Sequence, residues 1–392
     1  MMKIKGLIKF VYGLLTITLF SCKNVSDSAN LTLSEKLSGA VQNYISEYDI
    51  KTALSMTVFN GDFLICKNYG KTSLTSSSEN DETTLHYVYS ISKTFTAAVI
   101  LNLIQKNKIS QTDTVGKFLP ELLGNEFINS DATIAELLNH TSGIFDYMEN
   151  PKLFTQNPFL TQEWNPLLLV NFIEHVATER GLFNYSSMNF ILLGKIAELA
   201  ASQSMNEMIS EMYLKPLNLS SLALSPQDEI DYIKVSHPHV YPNTALSLAG
   251  DGKTPIDVVS VISPFIQLVG KSSWAAGGMV GTASDIARWG YNLYSKNGTG
   301  ISDFVRSQML DSVAEFTSED SEAYGFGTRK IFYDGYEFIG SYGRSIGSEN
   351  LMFYNPDTDA CFVILTSSNA SANRKPNIDD LLFSLFECFY EN

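Results

Sequence analysis

Ser90 and Lys93 stand three residues apart in Tyr87-Val88-Tyr89-Ser90-Ile91-Ser92-Lys93-Thr94-Phe95, where a turn passes into a long apolar run. Residues at i and i+3 share a helix face, so the Lys93 ammonium can lie beside the Ser90 hydroxyl. The helix start carries partial positive charge that favours an alkoxide. A serine nucleophile with a lysine as its base uses this layout. No other Ser-x-x-Lys occurs in the chain. So short a pattern recurs by chance, and the competing reading makes Ser90 a helix cap and Lys93 a solvated first-turn residue.

The elements that must position this pair are legible in outline. A helix is expected over 91–106, apolar nearly all round and therefore buried. Before it, Thr32 and Glu35 have capping-box spacing for a helix to about residue 48. Strands at 53–59 and 62–68 follow, joined by Asn60-Gly61, a strong hairpin signal. Residues 110–225 look helical, with helices at 133–139, 165–176 and 189–201. Residues 225–264 carry five prolines and are expected to form a long loop. Thr282 and Asp285 match a second capping box, for a helix to about residue 294. Strand pairs are expected at 324–333 and 336–342 around Asp334-Gly335, and at 351–354 and 360–366 around Asn355-Pro356-Asp357. The last helix spans 378–390. Strands at both ends around a helical middle imply one antiparallel sheet built from both termini, with a helical lobe inserted and a cleft between. The expected division is a sheet lobe of 32–75 plus 265–392 and a helical lobe of 76–264.

A formal charge of −15 over 392 residues, without a basic stripe, argues against nucleic acid as a partner. Residues 1–21 begin with Lys3, Lys5 and Lys9, continue in an apolar run to Phe20, and end at Ser21 before Cys22. That is the make-up of a secretory signal. Leu19-Phe20-Ser21-Cys22 also resembles a bacterial lipobox, in which the cysteine is lipidated. The expected location is the bacterial cell envelope, with a lipid anchor on Cys22, a small polar tether at 22–31, and the body facing periplasm or exterior. Loss of three lysines leaves 24 basic against 42 acidic residues, a charge of −18. Such a surface gains nothing from anionic head groups, so the lipid must carry the attachment. Cys66, Cys361 and Cys388 sit in apolar contexts that suit buried thiols. His237-Pro238-His239 has no neighbouring ligand residues, and no phosphate-cradling loop or dinucleotide fingerprint occurs, so neither metal nor cofactor is expected.

Further segments stand in order along the chain: Leu137-Leu138-Asn139-His140-Thr141-Ser142-Gly143-Ile144, Phe183-Asn184-Tyr185-Ser186-Ser187, Ala276-Gly277-Gly278-Met279-Val280-Gly281, Tyr324-Gly325-Phe326-Gly327 and Asn355-Pro356-Asp357-Thr358. With Ser90 and Lys93 they make residues 33–390 resemble the serine β-lactamase and penicillin-binding-protein superfamily. The class C β-lactamase-like branch of D-alanyl-D-alanine carboxypeptidases, esterases and related serine hydrolases is the most similar. The resemblance implies an α/β (α+β) fold of β-lactamase/transpeptidase type, with an antiparallel five-stranded-type sheet flanked by helices and an inserted all-helical lobe. It makes Ser90 the acylated nucleophile and Lys93 its proton acceptor. Tyr185 matches the tyrosine of a Tyr-x-Asn element that relays the proton. The third element, Lys-Thr-Gly or His-x-Gly, falls at Ser341-Tyr342-Gly343. The next residue, Arg344, would give a backbone N–H that forms an oxyanion hole with that of Ser90.

Two positions depart from the pattern. Ser187 replaces the asparagine, and a hydroxyl lacks an amide's separate donor and acceptor. Ser341 replaces the lysine or histidine, removing a cation that Arg344 is expected to restore. Substrate contacts are expected from Ser187, Ser341, Tyr342, Gly343 and Arg344. His140, at a helix end, is expected to be structural. The resulting expectation is an acyl-enzyme hydrolase acting on a peptidoglycan-like D-amino-acid peptide, a β-lactam or a small ester. The alternative is a non-catalytic or slowly acylating penicillin-binding sensor of the same fold.

Overall fold

The computed structural model describes residues 32–241, 254–262, 264–311, 314–315, 322–368 and 377–391. The expected leader, Cys22 and the tether lie outside them. Thr32 and Glu35 close a capping box, each side chain taking the other's backbone N–H, and start α1, Leu33–Tyr48. Strands β1 (Leu54–Phe59) and β2 (Leu64–Tyr69) pair around Gly61, whose φ of 92° is open to glycine.

The other sheet strands come from the second half of the chain. They are β3 (Ala314–Glu315), β4 (Glu322–Tyr324), β5 (Arg329–Tyr333), β6 (Tyr336–Ser345), β7 (Ser348–Asn355) and β8 (Ala360–Thr366). Their order is β2-β1-β8-β7-β6-β5-β4-β3, antiparallel throughout. In place of the five-stranded type expected, the sheet has eight strands: six from the hairpins β1–β2, β5–β6 and β7–β8, and two short edge strands, β3 and β4. Asp334 (φ 47°) and Gly335 (φ 85°) both take the left-handed backbone that a two-residue hairpin turn needs. The single strand expected over 324–333 is instead broken at Gly325–Thr328, where the Gly325 N–H bonds the Thr328 carbonyl and Gly327 has φ 67°.

Strand alternation sorts side chains to two cores. Along β8, Phe362 and Ile364 pack under α1 and the last helix, Ile378–Tyr390, while Cys361, Val363 and Leu365 face the helical half. Cys361 is a buried free thiol and Cys66 a half-buried one. The same alternation on β6 sends Ile339 to the helical side and Phe338 and Tyr342 to the opposite one.

In the helical half, α2 (Ser92–Gln105) is buried without a break from Ser92 to Leu101. The two threonines of that stretch are satisfied: Thr94 donates to the Ile91 carbonyl and accepts the Trp289 indole N–H, and Thr96 donates to Ala275 O. Phe95 stacks on Trp289 with ring centroids 4.0 Å apart. Short α3 (Ile134–Leu138), then α4 (Ser187–Ala201) and α5 (Phe265–Gly277) surround the site, and α4 and α5 pack on α2. α6 (Ala283–Tyr294) begins at the expected Thr282 cap and covers the sheet. The helix expected over 165–176 is a seven-residue 3-10 turn, Pro166–Phe172, ended where the Asn150 amide captures the Phe172 carbonyl. Within 225–264 the described part holds two short paired strands, His239–Val240 and Ile256–Asp257.

Candidate active site

The residue before the nucleophile has a left-handed backbone: Tyr89 has φ 47°, unusual for a bulky side chain. Its burial holds it there, and the 3-10 turn Tyr89–Ile91 delivers Ser90 to the start of α2. Lys93 Nζ donates to Ser90 Oγ at 3.1 Å and to the Ala276 carbonyl at 2.9 Å. Lys93 is 1% exposed, which rules out the reading of a solvated first-turn lysine beside a helix cap. The Ala276 carbonyl lies past a break in α5, where Trp274 adopts φ 30°.

Tyr185 presents its ring to the Lys93 ammonium, 4.9 Å from Nζ to the centroid. Behind it lies His140, fully buried, with ring centroids 4.2 Å apart. His140 Nδ1 accepts the Ser186 N–H at 3.1 Å, so Nε2 carries the proton and donates to the Tyr324 hydroxyl at 3.2 Å. Burial, with Lys93 and Arg329 nearby, holds His140 well below the ordinary histidine range, so its ring is neutral. Expected to be structural at its helix end, it packs here behind the Tyr185 ring.

Ser90, Tyr185, Ser187 and Ser341 border one cleft of about 290 Å³. Ser187 donates to Asp146 Oδ2 at 3.2 Å. Ser341 turns its hydroxyl to the carbonyls of Ser90 and Tyr342. Gly343 lies so close to the nucleophile turn that a Cβ there would sit 2.0 Å from the Val88 carbonyl oxygen. This close approach brings the backbone of residues 341–344 alongside Ser90.

Tyr342 and Arg344, both expected on the substrate, also border the cleft, but their side chains are engaged by neighbours on the sheet. Both have the opposite strand parity from Ser341. The Tyr342 ring packs against Phe353, and its hydroxyl donates to Asp379 at 2.6 Å. Arg344 lies over the Tyr342 ring and bonds Glu349, its cross-strand neighbour on β7, at 2.7 Å. The charge expected to replace the missing lysine is therefore countered by Glu349.

Two groups in the cleft carry no signal of their own in the sequence. Arg329, on β5 opposite Gly340, brings a guanidinium to the cleft beside the rings of Tyr324 and Tyr342. Asp146 is 7% exposed, and burial raises its carboxyl above the usual range despite bonds from Met148 N–H and Ser187. Each lies just past one of the family-like segments, and that position is the only local hint of either. His237 pairs with Asp257, which also takes the Ser73 hydroxyl, so it serves as a structural tie. Among the described residues, no group of three or more His, Cys, Asp or Glu is placed to hold a metal.

A serine turn clamped between a helical half and a sheet edge, with its lysine buried, defines a class: proteins of β-lactamase fold. A Beta-lactamase family model matches residues 37–385, and the chain belongs to that family. Protein flp of Staphylococcus aureus (strain MW2) is 27% identical over 186 residues, covering 47% of this chain and 37% of flp. That match spans little more than a third of the relative's length. The putative penicillin-binding protein PbpX of Bacillus subtilis (strain 168) is 24% identical over 328 residues, 82% of this chain and 74% of PbpX. Among solved structures, D-amino acid amidase from Ochrobactrum anthropi SV3 complexed with D-phenylalanine superposes with TM-score 0.76 at 17% identity, covering 91% and 99% of the two chains. A D-stereospecific amidohydrolase from Streptomyces sp. gives 0.71 at 22%, covering 89% and 98%.

Proposed function

We propose that the chain is an acyl-enzyme hydrolase of D-amino-acid amides or peptides and small esters, held at the cell envelope through a lipid on Cys22. The contact of Lys93 Nζ with Ser90 Oγ carries this reading. Lys93, in its free-amine form, takes the hydroxyl proton and becomes the ammonium as Ser90 attacks the carbonyl carbon. The backbone N–H groups of Ser90 and Arg344 receive the oxyanion. Tyr185, beside the ammonium, passes the proton to the leaving group as the carbon–leaving-group bond breaks, and then helps water hydrolyse the ester on Ser90. Arg329 offers a charge for a substrate carboxylate in place of the absent lysine. The likeness to a D-amino acid amidase and to a D-stereospecific amidohydrolase favours the D-amino-acid class. β-Lactam turnover ranks below amide and ester hydrolysis, because Ser187 and Ser341 replace the groups that would grip that substrate's amide and carboxylate.

Ser90→Ala should abolish hydrolysis of p-nitrophenyl acetate and the fluorophosphonate adduct seen by intact-mass spectrometry. Unchanged turnover would reject the assignment. A penicillin adduct that forms on Ser90 and persists, without ester turnover, would favour the slow-acylating sensor instead. Metabolic labelling with a fatty-acid analogue, lost on Cys22→Ala, tests the anchor.

A further inference from the structure

A second cavity, of about 320 Å³, opens beside the nucleophile cleft. Met148, Ser273, Arg344 and Ser345 border both, so the two spaces share a wall. Beyond that wall the lining is mostly apolar, Leu153, Ile262, Phe265, Leu268, Val269 and Ile346, with Asn157 bonded to Ser272 the polar exception. Helical spacing builds one side, since Phe265, Leu268, Val269, Ser272 and Ser273 recur at i, i+3, i+4, i+7 and i+8 on α5. An apolar face followed by two serines at the cleft end is what an apolar group tethered to a polar reacting centre requires. A dry cavity of about 150 Å³ already takes a benzene ring, so this one accommodates a phenyl or a six-carbon chain.

The strand fixes which end of the substrate enters. Arg329 pairs with Gly340 on one side of the Gly343–Val88 approach; on the other, Arg344 and Ser345 end β6 and Ile346 begins the turn beyond. A substrate lying along β6 with its carbonyl oxygen at the Arg344 N–H sends its leaving end toward Arg329 and its acyl end toward Ile346.

We infer that this cavity is an acyl subsite that selects substrates whose acyl group is bulky and apolar, an aromatic or branched side chain or a chain of about six carbons. The inference rests on the acyl-enzyme reading above. Each methylene moved from water to such a wall is worth about fourfold in binding.

The test is a series of p-nitrophenyl acetate, butyrate and hexanoate on the full chain. kcat/KM should rise at least tenfold from acetate to hexanoate. Val269→Trp and Ile346→Trp fill the cavity from opposite walls and should cut that ratio at least tenfold, with acetate turnover unchanged. A flat series in the natural chain, or an unchanged ratio in either folded variant, overturns the subsite. Binding of 4-phenylbutyrate to Ser90→Ala, followed by calorimetry, reads the cavity without chemistry. It should show a Kd below about 1 mM that weakens at least tenfold when Val269→Trp is added; no binding overturns the subsite. Binding without turnover of any ester supports the subsite and overturns the acyl-enzyme reading.

Discussion

Lys93 is a buried ammonium with two acceptors, the Ser90 hydroxyl and the Ala276 carbonyl, and an aromatic face beside it. Burying such a charge opposes folding, and an apolar side chain of similar length often leaves stability unchanged or higher. Lys93→Met should therefore change stability by no more than about 2 kcal/mol, the unpaired Ala276 carbonyl offsetting the removed charge. Activity separates from stability here, because kcat/KM for p-nitrophenyl acetate should fall about 10²–10⁴-fold with the base gone. Thermal unfolding and ester kinetics on one preparation check both halves. Retention of more than half the activity would remove Lys93 from the chemistry.

Between elements, the close approach of β6 to the nucleophile turn sets the site. Gly343→Ala must push the strand from Val88, and it should destabilise by about 1–3 kcal/mol and lower kcat/KM about 10²-fold. Gly39, in α1 with nothing within 4 Å of where a Cβ would stand, provides the contrast: Gly39→Ala should raise stability by about 1 kcal/mol without touching activity. Chemical denaturation with ester assays distinguishes these outcomes. The elements legible in the sequence are those with local causes: the Thr32–Glu35 box, the Asn60-Gly61 and Asp334-Gly335 turns, the apolar run of α2. Strand parity is legible too: it turns successive side chains of Ser341, Tyr342 and Arg344 to alternate faces, so Ser341 meets the Ser90 carbonyl while Tyr342 and Arg344 meet Phe353 and Glu349. Asp146, Arg329 and the seat of His140 behind Tyr185 have no local signature. Their meaning comes from segments 40 to 240 residues away in the chain, and neither spacing nor composition records such meetings.

The whole molecule carries buried titratable groups, some beside the cleft and some far from it, and these set its response to acid. Burial holds the His86 pKa down to about 3, between the hydroxyls of Ser55 and Ser236, and depresses His140 and His239 as well. A histidine with a depressed native pKa contributes stability that is full above its unfolded value, about 6.5, and is lost as pH falls toward the native one. Asp146 has the opposite sign: its raised pKa contributes stability below about 3.9 that is lost as pH rises through the native value. Between about pH 4 and 6, His86 takes up about one proton on unfolding, a slope of about 1.4 kcal/mol per pH unit; His140 and His239 act in the same direction and Asp146 against it. Unfolding free energy measured by urea titration should be level from pH 8 to 7 and drop steeply from 6 to 5. His86→Gln, whose amide still meets both serines, should remove about 1.4 kcal/mol per pH unit of that slope. Stability that stays level down to pH 5 would mean these imidazoles accept protons inside the fold, and that the packing around His86 and His140 is looser than their burial implies.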